Sequence, residues 1–433
     1  MTTQFNSPPS NTATFKEALK FWTKLGFISF GGPAGQIAIM HQEVVERRKW
    51  MGENQFLRAL NFCMLLPGPE AHQLAVYLGW RLHGYPGGSV AGLFFLLPSV
   101  ALMLLLSWLA AAHGQTPVVA GVFRGIAGAV VAIVVQDLWR IGKKALRHRA
   151  LWLFAGASFA LGQFLRVPFP LIVLLAGISG LALSRLRPDI FCHREAGSNA
   201  CAPEDEREFK LPRARRLAGV VLVFAAVWLA VALPVFLGSG PGSVLPDILL
   251  FFSRASFVTF GGAYAVLSYV ADYVVQNAWV TEREMVLGLG LAETTPGPLI
   301  MVTQFVGFLS AWNAPGGLSP LLAGVLGGLL TTFGMFLPSF LLVFAGAPYI
   351  EALTADPRLS AALTGITAAV VGVVLKLGVF FAASTFLPAA GIVDGFAVAV
   401  AAVSGVALWR WKVPVHILVL ASGIAGAGWT LFT

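Results

Sequence analysis

Residues 21–36, FWTKLGFISFGGPAGQ, form an apolar stretch that carries one cation and ends in Gly-Gly-Pro. The chain repeats the stretch at 251–266 as FFSRASFVTFGGAYAV, with Arg254 in the place of Lys24. A charged side chain and a break in helix hydrogen bonding are both costly inside a lipid bilayer. Because the same costly arrangement occurs twice, the sequence predicts one site built from two related halves.

The composition is that of a membrane protein. Of the 433 residues, 57% are hydrophobic and 11% are charged, whereas a soluble domain carries about 25% charged residues. We therefore expect an all-α polytopic protein in a lipid bilayer. The net charge of +9 does not indicate nucleic acid, because the basic residues lie mostly in short loops, where they set orientation. The first residues lack a basic segment followed by an apolar core, so we expect no cleavable signal peptide.

Thirteen apolar segments are near the length of about 20 residues that spans a bilayer. Residues 1–14 are predicted to be disordered, 186–216 to be a charged cytoplasmic linker, and 217–237 to be a connecting transmembrane helix. Six segments precede the linker, at 15–40, 57–80, 89–111, 118–139, 150–165 and 167–185. Six follow the connecting helix, at 247–270, 285–311, 319–346, 359–380, 392–409 and 413–432.

The two sets of six segments are repeats. Pro67-Gly68-Pro69 matches Pro296-Gly297-Pro298, Leu97-Pro98-Ser99 matches Leu337-Pro338-Ser339, and FRGIAGAVVAIVV at 123–135 matches LTGITAAVVGVVL at 363–375. The order of the motifs is the same in both halves. We therefore predict two homologous repeats, 15–185 and 246–433. The single connecting helix would insert the second repeat upside down, as in the inverted repeats of secondary transporters.

The loop charges predict a cytoplasmic N-terminus and a periplasmic C-terminus. Residues 140–149 are basic and the linker is highly charged, and both are expected in the cytoplasm. One loop disagrees: with thirteen spans, residues 41–58 lie outside, yet they carry Arg47, Arg48, Lys49 and Arg58. The flanking segments 15–40 and 57–80 are broken by Gly and Pro, so two interpretations stay open for them, spanning and re-entrant.

The Gly-Gly and Pro-Gly-Pro sequences are the candidate substrate site. Proline removes a backbone donor and glycine frees the backbone, so both interrupt a helix. The N-terminus of the following half-helix carries partial positive charge and suits an anion, although a kink for packing is the simpler interpretation. The candidates from this pattern are Gly31, Gly32, Pro33, Pro67, Gly68, Pro69, Gly261, Gly262, Pro296, Gly297 and Pro298, with Ser29, Thr259, Gln73, Thr294, Thr295 and Gln304 as neighbouring hydrogen-bonding groups.

Ionisable residues beside the breaks have two interpretations each. Lys24 and Arg254 either supply charge to an anionic substrate or extend to the membrane surface as long cations do. Glu70, His72 and Glu293 are candidates for proton or counter-ion coupling. Glu70 could equally cap the half-helix that begins after Pro69.

No enzyme motif occurs in the chain. HExxH, GxSxG and Walker A sequences are absent, so we expect neither an enzyme nor an ATP-driven pump. Cys192, His193 and Cys201 lie in the polar linker, and we interpret them as surface residues, with no metal or cofactor. Transport would then depend on an ion gradient or on the membrane potential.

The motif set resembles the chromate ion transporter family, long-chain two-domain type. The matching stretches are FGGPAGQIAIMHQEVVERRKWM at 30–51, LLPGPEAHQLAVYLGW at 65–80, TFGGAYAVLSYV at 259–270 and ETTPGPLIMVTQFVGF at 293–308. The resemblance implies a bacterial inner-membrane exporter of chromate, with sulfate as a look-alike anion. It adds Phe30, Gln36, Glu43 and Trp50 to the site residues, with Phe260 and Trp279 as second-half partners.

The second half departs from the fuller pattern, which implies unequal halves. Pro33 is replaced by Ala263, and no basic cluster like that at 47–49 precedes the second Pro-Gly-Pro. We expect the first half to carry more of the recognition. The predicted function is chromate export driven by a proton gradient or the membrane potential. A sulfate transporter of the same build and a membrane scaffold or sensor that uses 186–216 remain alternatives, and the oligomeric state is open.

Overall fold

The computed structural model describes residues 13–30, 32–187, 190, 214–240, 242–350, 357–388 and 393–432. Those residues form sixteen α-helices and no β-strand. The helices are α1 (Phe15–Ile28), α2 (Gly32–His41), α3 (Glu53–Leu65), α4 (Glu70–His113), α5 (Pro117–Ala145), α6 (Arg149–Gln163), α7 (Phe169–Ser184), α8 (Ala214–Gly238), α9 (Leu245–Phe257), α10 (Ala263–Gln276), α11 (Glu282–Thr294), α12 (Val302–Asn313), α13 (Pro320–Gly346), α14 (Pro357–Phe386), α15 (Gly395–Arg410) and α16 (Val415–Phe432).

The prediction of an all-helical membrane protein is confirmed. Within the described ranges, six helical stretches are long and apolar enough to cross a bilayer: Glu70–His113, Pro117–Ala145, Arg215–Gly238, Pro320–Tyr349, Arg358–Phe386 and Val415–Phe432. Helix α4 is two helices joined at a sharp kink, where His83 and Gly84 leave helical geometry. Much of the predicted linker, with Cys192, His193 and Cys201, and residues 1–12 lie outside the described residues.

The first predicted span, 15–40, is a pair of helices that fold back on each other. Trp50 follows α2, and its ring lies 5.8 Å from that of Phe21 in α1. The Arg48 guanidinium lies 5.5 Å from the same Phe21 ring, and Lys24 Nζ lies 3.8 Å from Glu43. The chain therefore enters along α1, reverses at the Gly-Gly break and returns along α2.

The same reversal occurs at the other three broken segments. Phe251 of α9 stacks on Tyr273 of α10 at 3.9 Å between ring centroids. Phe62 of α3 lies 5.9 Å from Tyr77 of α4, and Gly288 of α11 faces Phe305 of α12. The expectation that 247–270 and 285–311 are single spans is therefore wrong: each is a helical hairpin.

Glycines with positive φ make these reversals. Gly68 has φ 131°, Gly262 92° and Gly297 107°, a region that residues with a Cβ rarely adopt. In each case the following residues begin a new helix that runs back beside the preceding one. A Pro or Gly inside a continuous helix would instead give only a kink.

The hairpins place the basic loop at the same end of the molecule as the start of α1. His83 Nε2 lies 2.9 Å from the carbonyl oxygen of Ala13, so the α4 kink, the start of α1 and residues 43–50 lie at one end of the molecule. The long second part of α4 leads from this end to Gln115, which lines a cavity with Thr281 and Asn313 at the other end. The basic residues of 41–58 are therefore on the side where the chain enters α1.

The last helices of each half pack against a long helix of the other half. Ser158 Oγ of α6 donates to the carbonyl oxygen of Ala369 in α14 at 2.6 Å, and Gly180 of α7 contacts Gly365. In the reciprocal arrangement, Gly125 of α5 lies against Ser422 of α16. Each half thus covers the long helix of the other, and the broken hairpins lie between the halves.

Candidate functional site

The two Gly-Gly and the two Pro-Gly-Pro sequences are the four breaks, and they meet at the interface of the two halves. We call this meeting point the crossing. The Gly68 N–H of the first Pro-Gly-Pro donates to the Thr259 carbonyl beside the second Gly-Gly, at 2.8 Å. The Gly297 N–H of the second Pro-Gly-Pro donates to the Ser29 carbonyl beside the first Gly-Gly, also at 2.8 Å. Each half therefore completes the broken backbone of the other.

Buried side chains donate hydrogen bonds to carbonyl oxygens of the breaks. Gln36 Nε2 donates to Gly297 O at 2.6 Å and to Ser29 O at 3.3 Å. Gln73 Nε2 donates to Pro67 O at 2.7 Å, and Ser99 Oγ donates to Pro296 O. Ser99 and Ser339 follow the same proline in both halves, which is the sequence signal for their place at the breaks.

Helix N-termini converge where these carbonyls are paired. Helices begin at Gly32, Glu70 and Ala263, and a 3₁₀ turn begins at Leu299. The N-cap residues Pro69 and Gly262 make no side-chain cap hydrogen bond. Because the carbonyl oxygens of the breaks accept hydrogen bonds while the first N–H groups of a helix have no partner within it, the crossing has positive polarity. Such a position suits an anion.

Most of the predicted binding residues lie at this crossing. The structure brings together Ser29, Phe30, Gly32, Pro33, Gln36, Pro67, Gly68, Pro69, Gln73, Thr259, Phe260, Gly261, Gly262, Pro296, Gly297 and Pro298 around the four breaks. Gly31 lies outside the described residues. Gln304, also named from the sequence, donates to Val100 O at 2.9 Å and accepts from Thr332 at 3.0 Å, so it joins α12, α4 and α13.

Lys24 and Arg254 do not point into the crossing. The Lys24 side chain is 56% exposed and lies 3.8 Å from Glu43, and Arg254 is exposed. Glu43 also accepts from Arg47 at 2.9 Å and from Arg48 at 3.2 Å. Three cations thus surround one carboxylate at the open end of the first hairpin. Burial raises the pKa of Glu43, but Arg48, Arg47 and Lys24 lower it more, so its pKa lies below the ordinary value.

Glu43 is expected to stabilise the first hairpin. Glu43→Ala should lower the free energy of unfolding by about 1–2 kcal/mol, a small value because two of its cations are more than half exposed. Its lowered folded pKa means that the contribution is present above the unfolded pKa and is lost as pH falls through the folded pKa. Denaturation in detergent across pH measures this. Glu46→Ala is the control, and an equal loss there would contradict the role of Glu43.

Trp50 and Trp279 also lie at the open ends of hairpins. The Trp50 ring is covered by the Arg48 guanidinium at 4.8 Å, and Trp279 lies 5.9 Å from Phe251. Both therefore join the two arms of a hairpin, at a distance from the crossing.

Glu70 and His72 lie on the first turn of α4, directly at the crossing. Glu70 is the first helical residue and is half-buried. His72 is fully buried in an aromatic cage, with ring centroids 4.9 Å from Phe336, 4.9 Å from Phe340 and 6.3 Å from Phe95. Two of the cage residues come from α13, so His72 lies at the contact between the two halves.

Glu293 belongs to a cluster that sequence analysis missed. The Tyr264 hydroxyl donates to Glu293 Oε1 at 2.6 Å, and Asp137 of α5 lies beside the same hydroxyl. Arg140 Nη2 lies 2.5 Å from Asp137. Asp137 is 7% exposed. A carboxylate within the apolar segment 118–139 was the available signal, but Asp137 has no charged counterpart in the second repeat. The cluster links the crossing to the surface at Arg140.

A cavity of about 730 Å³ opens at the end of the molecule where α11 begins. Arg124 and Asp394 line it and form a bidentate pair, with distances of 2.6 and 2.7 Å. This pair joins α5 of the first half to the start of α15 in the second. The cavity therefore lies between the halves, at the end of the α11–α12 hairpin that is opposite to the second Pro-Gly-Pro.

Broken helices that meet at the interface of two repeats, in an apolar helical protein, are the architecture of secondary transporters. The chain belongs to the chromate transporter family: the family model described as chromate transporter matches residues 16–181 and 246–427. Each match lies within one predicted repeat, and the resemblance seen in the sequence is confirmed.

Relatives match along most of the chain. The chain is 33% identical to the chromate transport protein of Pseudomonas aeruginosa, over 100% of this chain and 95% of that protein. It is 27% identical to the probable chromate transport protein of Synechococcus elongatus, over 83% of each. It is 26% identical to the chromate transport protein of Cupriavidus metallidurans, over 84% of this chain and 81% of that protein. No solved structure matches the chain.

Proposed function

We propose that the protein is a secondary active transporter that exports chromate across the bacterial inner membrane. The observation that carries the proposal is the crosswise pairing of the breaks, Gly68 to Thr259 and Gly297 to Ser29. This pairing neutralises the carbonyl ends of the broken helices and leaves their N-termini facing a common centre. Membership of the chromate transporter family supports chromate as the anion.

The proposed topology has four re-entrant hairpins and nine crossing helices. The N-terminus and the loops 41–58 and 140–149 would be cytoplasmic, and the C-terminus periplasmic. Residues 271–284 then lie outside and carry Asp272, Glu282 and Glu284 against Arg283, as the positive-inside rule favours. The repeats 15–185 and 246–433 would be inverted units joined by the linker 186–216 and the helix 217–237.

Export would use the membrane potential directly. A negative charge that leaves a negative cytoplasm gains about 2.3 kcal/mol per 100 mV. The Asp137–Tyr264–Glu293 cluster is the proposed proton-coupling element, because it joins the crossing to the protein surface. Rocking of the two halves would open the crossing alternately to the cytoplasm and to the outer cavity, with Arg124–Asp394 as a contact that must break or re-form.

The test is uptake of labelled chromate into everted membrane vesicles, with and without an imposed potential or pH gradient. Potential-dependent accumulation that unlabelled sulfate competes for weakly is the expected result. Accumulation of sulfate in right-side-out vesicles, with no chromate uptake in everted ones, would instead favour a sulfate importer. Vesicles from cells that lack the protein provide the background.

The same vesicles test the two cations. Lys24→Ala and Arg254→Ala are expected to keep chromate transport within about threefold of the wild type, since surface substitutions away from the site have small effects. Loss of transport in both variants, with normal amounts of protein in the membrane, would place these cations in the substrate path and contradict the geometry.

A further inference from the structure

The residues after the two Pro-Gly-Pro breaks differ in polarity. His72 and Gln73 follow the first break, on the first turn of α4. The equivalent positions after the second break are Met301 and Val302, which are fully buried. The two breaks are thus alike in backbone and unlike in side-chain chemistry.

The serines that face the breaks differ in the same way. Ser99 Oγ donates to Pro296 O, which uses the hydroxyl hydrogen at the second break. Ser339, its equivalent at the first break, is fully buried, and its Oγ has no hydrogen-bond partner in the described part of the chain. A Cβ on Gly68 would lie 2.7 Å from Ser339 Oγ and 2.5 Å from Gln73 Nε2, so both side chains touch the break itself.

Three buried side chains at the first break therefore have polar atoms without partners. Among the described residues, Ser339 Oγ and Gln73 Oε1 make no hydrogen bond, and neither ring nitrogen of His72 makes a well-formed one, although the backbone of Gly92 lies beside the ring. Phe336 and Phe340, which flank the His72 ring, lie on either side of Ser339 in α13. Buried polar groups are almost always paired, so three unpaired groups beside one helix N-terminus indicate a ligand.

The second break offers no such set. Gln36 Oε1 is also unpaired there, but the donor atoms beside it are engaged: Gln36 Nε2 with Gly297 O and Ser99 Oγ with Pro296 O. An anion requires hydrogen-bond donors, and an isolated amide oxygen repels it. The two pseudo-equivalent breaks therefore provide one place for an anion, and it is at the first.

We infer that the first Pro-Gly-Pro holds a single oxyanion, and that Gln73 selects an oxyanion that carries a proton. The inference rests on the proposed function. The N-terminus of α4, the Ser339 hydroxyl and one His72 N–H would donate to the oxygen atoms of the anion. Gln73 Nε2 is held by Pro67 O at 2.7 Å, so the amide oxygen faces the ligand as an acceptor.

An acceptor in this position distinguishes chromate from sulfate. Near neutral pH chromate takes up a proton to form hydrogen chromate, whereas sulfate and selenate remain fully deprotonated. Hydrogen chromate can donate its O–H to Gln73 Oε1, while a bare oxyanion places one of its oxygens against that acceptor. A buried acceptor left unpaired weakens binding by about tenfold or more. The oxyanion site at the first Pro-Gly-Pro is therefore expected to prefer hydrogen chromate.

The pH dependence that comes from ionisable groups near this oxyanion site must be distinguished from the pH dependence that comes from the proton on the ligand. Glu70 and His72 lie on the same helix, and Cys63 of α3 and Lys144 of α5 lie close enough to interact with Glu70. Helix α13 contributes Phe336, Ser339 and Phe340 at this face. Titration of any of these groups affects all oxyanions. Selenate, which does not take up a proton in this range, is therefore the reference ligand.

The experiment measures binding of chromate, sulfate and selenate to the purified protein in lipid nanodiscs, at mildly acidic and mildly alkaline pH. In the wild type, the chromate-to-selenate affinity ratio is expected to fall by about tenfold as the pH rises, the effect of one unpaired buried acceptor. Gln73→Met should remove this fall. Ser339→Ala should weaken all three anions alike. Ser107→Ala is the control, because Ser107 donates within its own helix to Met103 O at 2.6 Å.

Each outcome decides a different point. A wild-type ratio that does not change with pH overturns the selection of a protonated ligand, even if Gln73→Met fails to fold. A Gln73→Met protein that keeps the wild-type pH dependence overturns the role of Gln73. If Ser339→Ala and Ser107→Ala weaken oxyanion binding equally, Ser339 is not part of the binding site. Absence of binding by any oxyanion would overturn the proposed function itself.

Discussion

Gly68→Ala and Gly297→Ala are each expected to reduce chromate transport by about a hundredfold, the loss that a displacement of about 1 Å in a binding geometry can cause. Both glycines have positive φ, 131° and 107°, and both donate the crosswise hydrogen bonds. A Cβ at Gly68 would also meet Ser339 and Gln73, and one at Gly297 would meet Ser99. The break must shift in either variant, and the helix N-termini shift with it.

The matched control is Gly405→Ala. Gly405 lies within α15, and a Cβ there would meet no atom within 4 Å. Alanine is also the better helix former, so folding should be unaffected or slightly improved. Initial rates of labelled chromate uptake, normalised to protein in the membrane, measure all three variants. Equal rates in Gly68→Ala and Gly405→Ala would contradict the role of the first break.

Glu293→Gln is expected to remove the part of chromate transport that a pH gradient drives. One coupled proton changes the equilibrium accumulation by about tenfold per unit of pH difference across the membrane. The glutamine cannot exchange a proton, so this factor should disappear while potential-driven movement continues. Asp137→Asn should give the same result, because both carboxylates lie beside the Tyr264 hydroxyl, which donates to Glu293.

The control for the carboxylates is Glu282→Gln. Glu282 is exposed on the first turn of α11, at the opposite end of the helix from Glu293. It should keep the full response to a pH gradient. Accumulation measured at fixed potential, with and without the gradient, separates the two driving forces. A Glu293→Gln protein that still responds to the gradient would place the proton-coupling element elsewhere.

The sequence contained enough information to locate the breaks, because intramembrane glycines and prolines that occur in the same order twice are unlikely to arise by packing alone. It did not contain the reversal of the chain. A segment of about 26 residues has the same composition whether it forms one span or two short helices side by side, and φ at Gly262 or Gly297 depends on the tertiary structure.

Side-chain roles were harder to predict than positions. Lys24 is six residues from the first break in sequence, but the returning arm of the hairpin places Glu43 against it. Asp137 has no charged counterpart in the second repeat, so matches between the repeats do not identify it. Its neighbours, Tyr264 and Glu293, come from two hairpin arms, α10 and α11, whereas Asp137 itself lies in α5. The difference between Ser99 and Ser339 is one of hydrogen bonding, which identical Leu-Pro-Ser sequences cannot reveal.

The central claim is that the crossing of the four breaks carries chromate from the cytoplasm to the outside. Its most direct test uses purified protein in sealed liposomes, with an imposed potential and a step in chromate concentration, recorded as a transport current. The wild type and Gly405→Ala are expected to move negative charge with the chromate, and Gly68→Ala is expected to give no current above empty liposomes. A chromate current of wild-type size in Gly68→Ala would contradict the account.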